Sequence, residues 1–266
     1  MEKVAFLNLS YNSFGQNQVW KKFFDQGGQD SWNLYIHPKF KQPSIFSQYY
    51  IEKHIETGWG EFSLVEATIE LFKAALKEED NEYFVLISDS HFPLYNLDDT
   101  IKLIKNNYPK MCFTKHFSFH TKVKSQKVLR EGVIAPHPFD EYNAVCQFFV
   151  CRRKDVVKFV ATFEEYAKFF VKNKVIFADE FYFWAVARDL KMDFEMGQAT
   201  TYSDWSIRPH PQKQGEIDRN PRAFTQISQP MIDVYRENGY IFARKVMVHT
   251  LVMADPLKPK KQLEIK

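Results

Sequence analysis

Cysteine is scarce in this 266-residue chain, which carries only Cys112, Cys146 and Cys151. Three thiols cannot all pair with one another and the count is low for a secreted chain of this size, so a reducing compartment is the simpler expectation. No apolar run is long enough to cross a bilayer, and the segment after Met1, KVAFLNLSYNSF, is an apolar strand interrupted by Asn8 and Ser10 rather than a signal-peptide core. A soluble, cytoplasmic protein is therefore expected. Glycine is sparse, nine in all, and no GxGxxG, Walker loop or GxSxG elbow occurs. Dinucleotide binding of the Rossmann type, P-loop NTPase activity and the hydrolase nucleophile elbow all lack their signatures. Charge of one sign is also lacking: the net charge is +3 and the pI about 8.5, too mild a bias to imply nucleic acid. A local basic pocket for an anionic ligand fits that balance equally well.

What the chain does have is apolar and aromatic material. Hydrophobic residues make up 45% and charged residues 26%, while aromatics reach 17% with 26 Phe, enough to build a large core and to argue against disorder. Lys3 to Ser10 predicts a strand, Gln16 to Asp25 a short helix, and Trp32 to His37 a second strand ended by Pro38. Ser63 to Glu79 places Leu64, Val65, Ala67, Ile69, Leu71, Phe72, Ala75 and Leu76 at helical spacing, with Ser63 as the expected N-cap. A strand, Tyr83 to Ser88, follows, and a helix starts at Asn96 or Asp98. Strands alternating with helices predict an α/β fold with a mostly parallel sheet flanked by helices.

From Met111 to Tyr142 neither helical nor strand period persists, as in a long loop. Beyond it the pattern predicts a strand over 144–150, helices over 155–171 and 179–190, and a strand within 197–206. A helix from Ser228 to Glu237 and a last strand, Tyr240 to Ala243, deliver Arg244 and Lys245.

The segment Phe84 to Asn96, FVLISDSHFPLYN, is an apolar strand that empties Ser88, Asp89, Ser90 and His91 at its carboxyl end. Open α/β sheets place ligands there. Asp89 with Ser90 can hold a ribose hydroxyl or a divalent metal, or simply cap a turn. The pair Asp179-Glu180 precedes an aromatic run, so one carboxylate is expected to serve the helix start, while a carboxylate among Phe and Trp rings suits a general base. His116 and His120 have i, i+4 spacing but no HExxH motif, and the run Lys122, Lys124, Lys127, Arg130 reads as a solvated loop or a phosphate-steering patch.

Taken in order, these segments resemble one family. Trp59-Gly60 followed by FSLVEATIELFKAAL, then FVLISDSHFPLYN, QFFVCRRKDV, ADEFYF, TYSDWS with RPHP, and IFARK are similar to the core-2/I-branching N-acetylglucosaminyltransferases and their plant relatives. This is glycosyltransferase family 14, which also holds peptide O-xylosyltransferases and plant glucuronosyltransferases. The resemblance runs from about Phe6 to Val246, and the TYSDWS, RPHP and FARK segments look closest to the plant branch.

The resemblance implies a GT-A-type fold and inverting transfer from a UDP-sugar to a glycan hydroxyl without a metal cofactor. N-acetylglucosamine is the first-choice donor sugar, with xylose or glucuronic acid as alternatives. It also implies one glycosyltransferase domain over 1–266, with a nucleotide-sugar half over 1–110, an acceptor and catalytic half over 111–250, and a tail over 251–266. The family's base falls on Glu180, and its diphosphate-binding lysine falls on Lys245 of the Phe-Ala-x-Lys segment. The matching arginine stands 23 residues earlier, and position 222 is an arginine (245 − 222 = 23). His37, Asp89 and Ser90 are implied at the donor, and Trp205 as an aromatic that stacks on the acceptor. Animal members carry a membrane anchor and several disulfides; without either, this chain resembles a microbial or viral cytoplasmic enzyme. A non-catalytic glycan- or nucleotide-binding module, with Glu180 as a helix cap, remains the alternative, and no nucleic-acid partner is expected.

Overall fold

The structure is a computed structural model that describes residues 2–28, 30–114, 145–197, 199–206, 208–209, 217–218 and 220–258. Expected features at His116, His120, Lys122, Lys124, Lys127 and Arg130 lie outside the described residues. In chain order the elements are β1 (Lys3–Ser10), α1 (Asn17–Asp25), β2 (Trp32–Pro38), α2 (Ser63–Leu76), β3 (Asn81–Ser88), β4 (Phe92–Pro93) and α3 (Leu97–Asn107). There follow β5 (Met111–Phe113), β6 (Val150–Arg152), α4 (Arg153–Lys172), α5 (Tyr182–Asp189), β7 (Phe194–Met196), β8 (Thr201–Ser203), β9 (Arg208–Pro209) and β10 (Ile217–Asp218). The last are β11 (Gln226–Ile227), α6 (Gln229–Glu237), β12 (Phe242–Arg244) and β13 (Leu251–Val252).

The chain forms two compact units, and neither is one continuous stretch. The first takes residues 1–13, 30–88 and 108–199; the second takes 14–29, 89–107 and 200–266. The first unit holds a six-stranded sheet of order β2-β1-β3-β6-β5-β7. β1 runs parallel to β2 and β3, and β5 parallel to β7, while β6 lies antiparallel to β3 and β5. The sheet is mostly parallel and flanked by helices, consistent with a GT-A-type fold. Central β3 is buried along almost its whole length, which is why it reads as a continuous apolar run, whereas edge strand β2 alternates buried Trp32, Leu34 and Ile36 with half-buried Asn33 and Tyr35.

Phe72 of α2 shows how the helices attach. Its ring meets Phe84 of β3 at 6.3 Å, Phe159 of α4 at 6.2 Å and Phe183 of α5 at 5.7 Å, so one side chain joins three elements. Each such fully buried ring contributes about 1.5–3 kcal/mol. The second unit holds the three-stranded sheet β4-β12-β8 and the small pairs β9/β10 and β11/β13. Its core gathers Phe92, Leu94, Phe224, Ile227, Ile232, Ala243 and Val246. Buried Arg236 fastens it by donating to the carbonyls of Leu94 and Pro256, with its guanidinium over the Tyr95 ring.

Several boundaries differ from the sequence expectation for identifiable reasons. Helix α2 begins at Ser63 itself with Phe62 before it, because the Ser63 hydroxyl accepts the Gly58 N–H at 3.0 Å instead of capping the helix. The strand expected over 144–150 shrinks to β6, since Val145 and Cys146 donate their N–H groups to the carbonyls of Glu180 and Thr114 rather than to a ladder. The helix expected over 179–190 is a 3-10 turn, Ala178–Glu180, followed by α5, and no side chain caps α5. The N-cap position of α5 is thus Phe181, not Asp179 or Glu180. Met111–Phe113, expected in the loop, pairs as β5. All three cysteines carry free thiols, and among the described residues no helix is long and apolar enough to cross a membrane.

Candidate functional site

β3 ends at Ser88, and the chain passes there into the second unit. In that unit the Asp89 carbonyl accepts the Gly15 N–H at 2.8 Å, and the Ser90 carbonyl accepts the Val246 N–H at 2.8 Å. Gly15 permits this approach: a Cβ there would stand 3.0 Å from the Val246 carbonyl oxygen and 3.3 Å from that of Asp89. The turn after β3 is thereby held beside the end of β12, one residue beyond which stands Lys245.

Lys245 is stitched to the segment of Arg222. Its carbonyl accepts the Phe224 N–H at 2.8 Å, its own N–H reaches the Arg222 carbonyl at a long 3.5 Å, and Arg222 N–H donates to the Asp204 carbonyl at 2.8 Å. Four segments, around Asp204, Arg222, Lys245 and Asp89-Ser90, thus meet through backbone hydrogen bonds within one unit. Arg222 is exposed, Lys245 and Asp89 are half-buried, and Ser90 is buried. Trp205 follows Asp204 in a turn closed by Ser206 N–H on Asp204 Oδ1 at 2.9 Å, and the residue is 43% exposed.

The electrostatics are those of a crowded cationic cluster. Burial lowers the Lys245 ammonium below its ordinary value and Arg244 adds to this, with Asp89 and Asp218 opposing and Arg208 reinforcing. Burial alone would raise the Asp204 carboxyl, yet the Ser206 N–H and hydroxyl, with Arg222 and Arg208, hold it below its usual range. Lys245 is thus partly desolvated among charges of both signs, which strengthens their influence on it. Among the described residues no three His, Cys, Asp or Glu side chains converge as metal ligands would.

Glu180 and His37 belong to the first unit. Glu180 closes the 3-10 turn and is held by its backbone at both ends: its N–H donates to Phe177 at 3.0 Å and its carbonyl accepts Val145 N–H at 2.8 Å. Phe177 in turn donates to the Gly60 carbonyl at 2.8 Å, and the two residues meet in left-handed conformations, φ 55° and 74°. Trp59 packs edge-on against the Phe177 ring at 5.0 Å and is 79% exposed, the most exposed of the five tryptophans. His37 is buried and stacks on His54 at 5.1 Å, and its Nε2 accepts the Ile55 N–H at 2.9 Å. Burial first, then the His54 charge, lowers its pKa to about 4, so its ring is neutral at ordinary pH. The acceptor role of Nε2 toward the chain was not legible in the sequence.

Asp89, Ser90, Arg222 and Lys245, sequence-predicted from separate motifs, are therefore brought together. Arg208, which acts on both Lys245 and Asp204, was not singled out from the sequence, although the RPHP segment that carries it was conspicuous.

The mostly parallel sheet flanked by helices makes this an α/β protein, and its second unit carries Arg222 and Lys245 on adjoining backbone. The sequence profile of the Core-2/I-Branching enzyme family matches residues 4–228, and the chain belongs to that family. Glu180 and Arg222 fall inside the matched stretch; Lys245 lies beyond it. Over 113 residues the chain is 31% identical to Glycosyltransferase BC10 of Oryza sativa subsp. japonica, a match covering 40% of this chain and 28% of that relative. The chain thus spans less than a third of the relative's length.

Proposed function

We propose that this chain is an inverting, metal-independent glycosyltransferase of GT-A type. It transfers a sugar, N-acetylglucosamine by first choice, from a UDP-sugar to a hydroxyl of a glycan acceptor. The observation that carries the reading is the backbone pairing of Lys245 with the Arg222 segment inside a chain of the Core-2/I-Branching enzyme family.

In this reading the acceptor hydroxyl loses its proton to the Glu180 carboxylate as its oxygen bonds to the anomeric carbon. The bond from that carbon to the phosphate oxygen breaks, and UDP departs with the electron pair. Arg222 and Lys245 neutralise the charge that develops on the diphosphate, the task a metal ion performs elsewhere. The family resemblance assigns Asp89, Ser90 and His37 to the donor, and Trp205 to the acceptor as an aromatic face.

A thermal-shift panel of UDP, UDP-N-acetylglucosamine, UDP-xylose and UDP-glucuronic acid, each with manganese or EDTA, tests this. A ligand that binds only the native state raises its melting temperature. The expected result is a shift with UDP and a larger one with the true donor, both unchanged by EDTA, followed by chelator-resistant turnover. Stabilisation that vanishes in EDTA and returns with manganese would remove the metal-free mechanism.

A further inference from the structure

Within the second unit, Arg208 is a cation to which the diphosphate reading gives no task. It opens β9, directly opposite Asp218 in the antiparallel β9/β10 pair. Its Nη2 donates to Asp218 Oδ2 at 2.6 Å and to the Asn220 carbonyl at 3.1 Å. Asp218 is braced in turn, its Oδ1 accepting both the N–H of Asn220 at 3.0 Å and that residue's side-chain amide at 3.1 Å. The Asn220 N–H leads the influences that hold the Asp218 carboxyl below its usual range, so it stays ionised as the counter-charge. The guanidinium is thus fixed by one of its nitrogens.

The other nitrogen is what points to a ligand. Among the described residues, Arg208 Nη1 is buried and has no hydrogen-bond partner, although the side chain as a whole is 25% exposed. A buried cationic donor without an acceptor costs free energy that an anionic oxygen would recover. Arg208 also acts electrostatically on two members of the cluster described above: it depresses Lys245, as a like charge does, and it helps hold Asp204 ionised. Its hydrogen bond to the Asn220 carbonyl, two residues before Arg222, ties it to the same segment, and its planar fork suits phosphate oxygens better than a point charge does.

We infer that Arg208 is a third phosphate-binding cation beside Arg222 and Lys245, donating through Nη1 to the donor diphosphate, and that Asp218 is the positioning residue that aims it. This rests on the reading of the cluster as the donor-diphosphate site and extends it to a residue ten positions from its brace.

Binding of UDP, uridine and inorganic pyrophosphate, measured by titration calorimetry on the full chain, tests the inference. Arg208→Gln is expected to weaken UDP and pyrophosphate by at least about tenfold while leaving uridine unchanged, and Arg208→Lys to recover part of the loss. Asp218→Asn, which keeps the cation but loosens its brace, is expected to weaken UDP by less than Arg208→Gln, again without touching uridine. UDP bound as tightly by Arg208→Gln as by the unaltered protein would overturn the inference. So would equal losses for UDP and uridine, which would mark Arg208 as a mere hairpin fastener. If Arg208→Gln does not fold, Arg208→Lys decides alone: a pyrophosphate affinity equal to that of the unaltered chain overturns the proposal, and a selective drop supports it. Failure of the unaltered chain to bind UDP at all would instead bring down the donor-site reading, a different result from normal UDP binding that ignores Arg208.

Discussion

The carbonyl of Lys245 accepts the N–H of Phe224 at 2.8 Å while the N–H of Lys245 points back to the carbonyl of Arg222 at 3.5 Å, so the two cations ride on adjoining backbone. Neither residue is near the other in sequence. Their adjacency depends on β12 pairing with β8, which ends just before Asp204, and on the Arg222 N–H meeting the Asp204 carbonyl.

Replacing Glu180 by Gln is expected to remove sugar transfer by at least about a thousandfold while UDP affinity stays within twofold, since a general base contributes up to ~10²–10⁴ in rate and the amide keeps the shape. Steady-state transfer assays with calorimetry of UDP check it. Turnover near that of the unaltered protein would show that Glu180 is not the base.

UDP affinity should fall as pH rises through the alkaline range, beginning below the pH at which an ordinary lysine titrates. The reason is the depressed Lys245: its protonated form attracts the diphosphate, so binding is lost as that proton leaves. In Lys245→Arg, which stays charged, the decline should disappear over pH 7 to 10. An identical pH profile in the two proteins would separate Lys245 from the diphosphate.

Folding stability should fall as the pH drops from about 6.5 toward 4. His37 is held neutral in the folded protein, with a pKa lowered to about 4 from 6.5, so the unfolded chain takes up its proton first and acid favours unfolding. The contribution is complete above the unfolded value and lost as pH falls toward the folded one. His37→Gln, whose side-chain oxygen can accept the Ile55 N–H, should flatten this part of the curve in urea titrations at pH 7, 5.5 and 4.5. A slope that the substitution does not alter would assign the acid sensitivity to other groups.

Gly60→Ala should destabilise the first unit by about 1–2 kcal/mol, because alanine in the left-handed region is strained. Its Cβ would also stand 3.2 Å from the Phe177 ring. Since Phe177 carries the hydrogen bond that starts the Glu180 turn, turnover should fall with stability. A drop in melting temperature with unchanged turnover would show that the turn holds without Gly60.

Much of the fold was legible because it is written in local periods. The apolar run Lys3 to Ser10 is β1 from end to end, and Gln16 to Asp25, Trp32 to His37 and Ser228 to Glu237 each miss an element by about one residue. The misses come from distant partners. Val145 and Cys146 have strand-like side chains, yet their N–H groups go to Glu180 and Thr114, so no strand forms there. Ser63 has the chemistry of an N-cap and spends its hydroxyl on Gly58 instead. The interleaving of two units from three separated stretches each leaves no mark in composition.

The amino-acid sequence by itself determined the alternation of buried strands and amphipathic helices and the order of motifs that marks the family, because apolar period and residue identity are properties of neighbours along the chain. Only the tertiary structure decided which charges meet. Arg222, Lys245 and the Asp89-Ser90 turn join through backbone hydrogen bonds, and Arg208 holds the Asn220 carbonyl two residues before Arg222. It also decided that His37 stays neutral. Desolvation and Coulomb forces depend on what surrounds a group in space, and a hydrogen bond across twenty or two hundred residues exists only once the chain has folded.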